Sequence, residues 1–194
     1  MTMNADDYLV MPRPRLEDGV LALRAVTPDD IESIRQWRNA QMDVLRQSAF
    51  ITPEAQKRYF AEYIWPDKSF LQPRQILLAI ERHRELIGYG GLVHISWGDQ
   101  RAEISFLLAP LIESDSQVRA VLFSRFLRLV QALAFEDLKL SRLWTETFAH
   151  RADHLRTLEA AGFRFEGRLR AHTIICGRPT DSLLHGLLAN EWKE

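Results

Sequence analysis

Between residues 76 and 148 the hydrophobic period of this chain changes twice, and few topologies tolerate that order. Three short apolar segments come first, at residues 76–80, 86–94 and 101–108, with a polar turn at residues 82–85 between the first two. Such runs with turn-like boundaries predict an antiparallel meander. The spacing then becomes helical. Val118, Val121, Leu122, Phe126, Leu129, Val130 and Leu133 recur at i, i+3 and i+4, while Arg119, Arg125 and Arg128 fall outside the stripe. Residues 141–148 return to an extended pattern. A meander that feeds a β-α-β unit requires a mixed sheet with helices packed on it.

The flanking segments extend this frame. Residues 19–26 read as an opening strand, and Thr27, Pro28, Asp29 and Asp30 give a helix start whose acidic residues suit the positive end of the dipole. That helix runs to about Trp37, with Ile31, Ile34 and Trp37 on its inner face. Thr52, Pro53 and Glu54 start a second helix that turns Tyr59, Phe60 and Tyr63 to the core. After the central unit come a helix over residues 150–161 stopped by Gly162, then strands at 164–174 and 181–189. The predicted order is β-α-α-β-β-β-α-β-α-β-β, an α/β (α+β) class fold with a mixed, mostly antiparallel sheet. Residues 1–15 read as an N-terminal extension and residues 16–194 as one domain.

Charge and composition exclude several functions. The formal net charge is -1, with 25 basic and 26 acidic side chains, so neither the basic excess nor the basic run of a nucleic-acid binder is present. Cys176 is the only cysteine, which excludes an intrachain disulfide and a cysteine-built zinc site. His150 and His154 have the i, i+4 spacing of a helical metal pair, but no Glu follows His150 and no third ligand is evident. They read as two surface histidines, and no metal is expected. No apolar run approaches the roughly 20 residues that span a bilayer, so no membrane partner is expected and the cytoplasm is the expected location.

Several fragments in order resemble the GNAT N-acetyltransferase superfamily, in particular the branch that includes the ribosomal-protein N-terminal acetyltransferases. Leu23 with Arg24, Thr27 to Asp30, and Trp37 to Asn39 resemble its opening strand and first helix. Ile87, Gly88, Gly91, Leu92 and the triplet Ala102, Glu103, Ile104 resemble its central hairpin. Gly162, Phe163, Glu166, Gly167, Arg170, Asp181, Glu191 and Trp192 resemble its C-terminal part, so the likeness covers about residues 21–192.

The resemblance implies the GNAT fold, a splayed sheet flanked by helices on both faces. In that fold the strand of Glu103 and the strand at 141–148 are parallel neighbours that separate at one end. The pantetheine arm of acetyl-CoA, the implied cosubstrate, would pair with free backbone groups of Phe106, Leu107 and Leu108. Unpaired backbone in a sheet is costly unless a ligand satisfies it.

The pyrophosphate loop that the resemblance implies is Gln or Arg, two residues, Gly, one residue, then Gly or Ala, running into a helix. Backbone amides at such a helix start hold an anion. This chain has Glu113, Ser114, Asp115, Ser116, Gln117 and Val118 there, with serines at the two branch glycines and two carboxylates on the diphosphate's approach. The cofactor contacts would be Ser114, Ser116, Gln117, Val118 and Arg119. Arg151 stands where the family often has an asparagine and could add positive charge. Alternatively Ser114, Asp115 and Ser116 simply cap the helix.

Transfer of acetyl to an amine needs a base for the amine's proton, and the resemblance points to Glu103. The plainer alternative is a glutamate paired with a nearby arginine. Relatives use a tyrosine to protonate the departing thiolate, and Leu158 occupies that position, with His154 one turn earlier as a substitute. Arg38 and Arg46 could meet an anionic acceptor, and Trp97 could line the acceptor side. The expected partner is a small-molecule or peptide amine, among them a protein N-terminus or an amino sugar, and a homodimer stays open. The competing function is a catalytically degenerate GNAT-fold binding module.

Overall fold

The computed structural model describes residues 7–193. Eight strands form one sheet in the order β1-β2-β3-β4-β5-β6-β8-β7. They are β1 (Arg15–Glu17), β2 (Ala22–Ala25), β3 (Ile76–Arg82), β4 (Glu85–Ser96), β5 (Arg101–Leu108), β6 (Arg142–Phe148), β7 (Arg164–Ile175) and β8 (Arg178–Leu188). Every neighbouring pair is antiparallel except β5 and β6, which run parallel. The opening strand read at residues 19–26 is in fact the second arm of a hairpin, β2, paired with β1.

Helices cover both faces. On one side lie α1 (Ile31–Ala40) and α2 (Pro53–Tyr59), the latter continuing through a wide turn at Phe60–Ile64 into Trp65–Lys68. Here Ile34, Phe60, Ile64, Leu77, Ala79, Tyr89 and Leu107 form one cluster. On the other side lie α3 (Ser116–Ala132) and α4 (Ala152–Ala160). Leu122, Phe123, Phe126, Leu127 and Val130 of α3 are buried there against Leu78, Ile104 and Leu108. Residues alternate between the faces along β5, so Glu103, Ser105 and Leu107 share the α1/α2 side while Ile104, Phe106 and Leu108 face α3.

Two core expectations are corrected. Val121 is 56% exposed, because the face that docks is the Leu122, Phe123, Phe126, Leu127, Val130 stripe, and Phe123 and Leu127 carry it. Tyr59 and Tyr63 are also exposed and lie ring against ring at 5.4 Å, while Phe60 and Ile64 face the core. The wide turn after Tyr59 changes the helical phase and so rotates both tyrosines outward. Residues 8–11 contribute to the interior: Tyr8 and Met11 are buried, and the Tyr8 hydroxyl accepts a hydrogen bond from the Leu77 amide at 3.0 Å.

The feature that positions the site is the seam between β5 and β6. These strands pair only at Arg101 with Arg142, Ala102 with Leu143 and Glu103 with Trp144. Beyond Glu103, β5 pairs only with β4, and β6 continues to pair only with β8 through Phe148 and Ser182. The sheet therefore opens immediately after Glu103. One pairing away, Gly91 of β4 has φ 129° and allows β3 so close that an added Cβ would lie 2.1 Å from the Ile76 carbonyl oxygen.

Candidate functional site

Glu103 closes the paired part of the seam and is 2% exposed. Its Oε1 accepts a hydrogen bond from Nη2 of Arg46, while its Oε2 is buried without a hydrogen-bond donor. Nε2 of His94 lies 3.6 Å from that Oε2. His94 sits where the β4–β5 register shifts between Val93 and Ser96, with φ 50°. The bulge is thus beside the carboxylate, a common use of an extra residue near a reactive group.

Burial pushes the Glu103 carboxyl above the ordinary glutamate range; Arg46 and His94 oppose this, and the nearby Glu146 charge adds to it. Glu146 comes from β6, two residues past its last pairing with β5. Its Oε2 accepts from Nη1 of Arg46 at 3.0 Å, and its buried Oε1 has no hydrogen-bond donor. One guanidinium therefore bridges two carboxylates across the opening strands.

The loop after α1 delivers Arg46. Asn39 at the end of α1 holds this loop: its Oδ1 accepts from the Ile51 amide and from Nε2 of Gln47, both at 2.9 Å, and its Nδ2 donates to the Ile51 carbonyl at 2.9 Å. Arg38 donates to the Tyr89 hydroxyl at 2.7 Å and to Oε1 of Gln47 at 3.0 Å. Arg38 and Arg46, read as possible partners of an anionic acceptor, are both hydrogen-bonded to groups inside the protein. Trp97 packs against the core, and its ring nitrogen donates to the Pro73 carbonyl at 2.8 Å. Glu146 was missed in the sequence. Its only signal is that it lies three residues beyond Leu143 on a strand already known to part from β5.

The other end of the seam, at the start of α3 where the resemblance implies the pyrophosphate loop, is arranged differently. Asp115 caps α3, its Oδ1 accepting from the amides of Gln117 and Val118, each at 3.0 Å. Those amides are the ones a phosphate would use. The Ser114 hydroxyl donates to the Leu111 carbonyl at 2.9 Å, and Ser116 is exposed in the first turn of α3. Glu113 accepts from Arg119 at 3.2 Å and from Arg151 at 2.9 Å. Arg119 also reaches Asp153 at 3.4 Å. Burial draws the Arg151 guanidinium below its ordinary value, and Glu113 opposes that. The donor set suits an anion, and the chain's own carboxylates hold it.

Between the two ends the seam is narrow. Phe106 of β5 lies 4.5 Å from the Phe123 ring, which in turn stacks on His154 at 4.1 Å. His154 is buried, not a surface residue, and burial together with Arg151 and Arg119 holds its imidazole well below the ordinary histidine range. His150 lies before α4 and is exposed, so the two histidines do not share a helix face. Leu158, at the position of the relatives' tyrosine, is fully buried. Leu107 is buried on the α1/α2 side, and the Leu108 carbonyl accepts from Nε2 of the buried Gln41 at 2.9 Å. A cavity of about 120 Å³ remains, lined among others by Arg46, Glu103, Thr145, Glu146, Arg151 and His154. A cleft of about 610 Å³ lies between α3 and α4 and opens beside Ser116 and Gln117.

Among the described residues no group of three or more His, Cys, Asp or Glu side chains could hold a metal ion. Among them, too, no helix is long and apolar enough to cross a membrane.

The profile of the acetyltransferase (GNAT) domain family matches residues 23–184. A comparison with curated proteins returns no match. Among solved structures, spermidine N-acetyltransferase from Vibrio cholerae in complex with CoA and spermine superimposes with a TM-score of 0.77 at 20% identity, over 90% of this chain and 98% of that one. The spermidine/spermine N-acetyltransferase SpeG from Vibrio cholerae in complex with manganese ions gives a TM-score of 0.70 at 20% identity, over 88% and 94%. At this identity the likeness is one of fold.

Proposed function

Because this chain belongs to the acetyltransferase (GNAT) domain family, we propose that it moves acetyl from acetyl-CoA to a primary amine with Glu103 as the base. The observation that carries the assignment of the base is the free, buried Oε2 of Glu103 at the point where β5 and β6 part. An amine at that point attacks the thioester carbonyl, the C–S bond breaks, and the amine's surplus proton passes to Oε2 directly or through water. A carboxylate whose affinity for protons is raised by burial is better suited to this step than an ordinary surface glutamate. The thiolate leaves without an acid from Leu158. A thiolate is a fair leaving group, so the step proceeds at reduced rate rather than failing.

Acetyl-CoA would lie along the unpaired edge of β5 at Phe106 and Leu107. Its diphosphate would meet the α3 start at Ser114, Ser116, Gln117 and Val118, with Arg119 and Arg151 beside it. The α3/α4 cleft next to Ser116 and Gln117 offers room for the nucleotide. The acceptor is a small amine or a peptide N-terminus. The ordered fragments that resemble the ribosomal-protein branch support the peptide, and the fold shared with polyamine acetyltransferases supports the small amine.

A specific observation favours a second reading, a GNAT-fold binding module without the reaction. The Asp115 cap, the Glu113 ion pairs and the Phe123–His154 stack together fill the path of the cosubstrate. The remaining 120 Å³ is below the roughly 300–1,000 Å³ of ordinary ligand pockets. Thermal unfolding with and without acetyl-CoA separates the two. Ligand at about 100 times its dissociation constant stabilises the folded state by about 2.7 kcal/mol. A shift of that order supports the transferase, and no shift at millimolar acetyl-CoA supports the module.

A further inference from the structure

We infer that Glu103 and Glu146 together form an ammonium site, that Arg46 is its resident cation, and that the acceptor is therefore a cationic amine which displaces Arg46. This rests on the acetyl-transfer reading for its place in a reaction, but the binding it describes does not need turnover.

Three observations support it. First, the two carboxylates are nearly inaccessible, with side-chain exposures of 3% and 8%, whereas the Arg46 side chain is 47% exposed. The anions belong to the strands, and the cation reaches in from a loop and can withdraw into water. Second, the pairing is incomplete. Arg46 alone bridges the two carboxylates, the cavity's other arginine, Arg151, being paired with Glu113, and each carboxylate keeps one buried oxygen without a donor, Oε2 of Glu103 and Oε1 of Glu146. Buried acceptors are normally satisfied, so these two point to a donor the protein does not supply. Their nearest partners are His94 Nε2 at 3.6 Å and His172 Nε2 at 3.8 Å, both beyond hydrogen-bond length and both on exposed side chains. Third, both carboxylates line one cavity of about 120 Å³ at the point where β5 and β6 part. An ammonium carries three donors and can serve both free oxygens, while an anionic acceptor would face two carboxylates that share one arginine.

A cavity of about 120 Å³ takes the end of an aliphatic amine. On entry the ammonium would replace Arg46 at Glu103, and Glu103 would then be free to take its proton. Glu146 holds either the amine or the released guanidinium. The arrangement selects a protonated aliphatic amine over an aromatic amine, which is neutral at physiological pH.

The test is calorimetric titration with 1,4-diaminobutane, without acetyl-CoA, so that a failure of the transferase reading would leave the result intact. Removing the resident cation in Arg46→Met should tighten binding by about tenfold, the scale of one close charge pair. Glu146→Gln in the wild-type background should weaken it by about tenfold. An Arg46→Met protein with unchanged or weaker affinity would mean that Arg46 only fixes its loop, and would overturn the proposal. Unchanged affinity in Glu146→Gln would overturn it as well, and that variant decides the matter should Arg46→Met fail to fold.

Discussion

The two ends of the seam, proposed above for acceptor and cosubstrate, are built from the same parts, carboxylates and arginines, and they differ in which groups are left unpaired. At the acceptor end two carboxylates share one arginine, and each retains an unpaired oxygen. At the cosubstrate end two arginines converge on Glu113, and Asp115 occupies the helix amides. At the first end buried acceptors are left over, and at the second the chain's own carboxylates already hold the donors. On the proposed reading a cationic amine finds acceptors in place, whereas a diphosphate must displace two of the chain's own side chains.

The largest expected effect breaks the acceptor end at its base. Glu103→Gln should lower turnover by about 10²–10⁴-fold, the usual contribution of a positioned base, while acetyl-CoA affinity stays the same. Equal turnover in steady-state kinetics would remove Glu103 from the reaction. The pH dependence sharpens this. Burial raises the Glu103 carboxyl, so the wild-type rate should fall on acidification at a pH above the ordinary glutamate range, and the variant should lose that limb. The same shift gives a stability sign. A folded value raised above the unfolded one favours the protonated form, so the group's contribution is present below the ordinary glutamate value and lost as pH rises through the raised one. Glu103→Gln should consequently be no less stable than wild type at neutral pH.

At the cosubstrate end the sharper variant is Glu113→Gln. It keeps the side chain's shape and removes the charge that engages Arg119 and Arg151. Both guanidiniums are then available to a diphosphate, and acetyl-CoA affinity should rise by about tenfold, as expected for one charge-assisted contact restored. Calorimetry that finds no gain would place the diphosphate elsewhere.

The two ends were not equally legible in the sequence. The succession of elements from β2 onward followed from periodicity, where local pattern and tertiary fold agree, while the parallel β5–β6 pair and the place of Glu103 came from the family resemblance, and β1 and the reversed order of β8 and β7 were not read at all. Asp115 as a cap was also readable, since Asp before a helical run is what that position favours. The Arg46 bridge was not. Arg46 and Glu103 are 57 positions apart, and Arg46 and Glu146 are 100 apart, so their meeting depends on how Asn39 and Gln47 fold one loop. His154 was misread for a related reason. It falls in a polar stretch of sequence, and only the docking of α4 on Phe123 buries it. Val121 shows the limit of helical periodicity itself: the i, i+3, i+4 rule admits two adjacent stripes, and only packing on the sheet chooses between them.

The smallest expected effect separates what Asp115 does for the helix from what it does to the ligand. As a cap it satisfies two amides that would otherwise be left open at the start of α3. As a charge it opposes a diphosphate at the same amides. Asp115→Asn keeps an oxygen for the cap and removes the charge, so stability should stay within about 0.5 kcal/mol while acetyl-CoA affinity rises modestly. Asp115→Ala removes both, and denaturant unfolding should show a loss of about 1 kcal/mol. Because alanine also vacates the amides, Asp115→Ala should bind acetyl-CoA at least as tightly as Asp115→Asn despite its lower stability. Equal affinities in wild type and both variants would mean that the diphosphate never reaches these amides, and that the α3 start is a capped helix and nothing more.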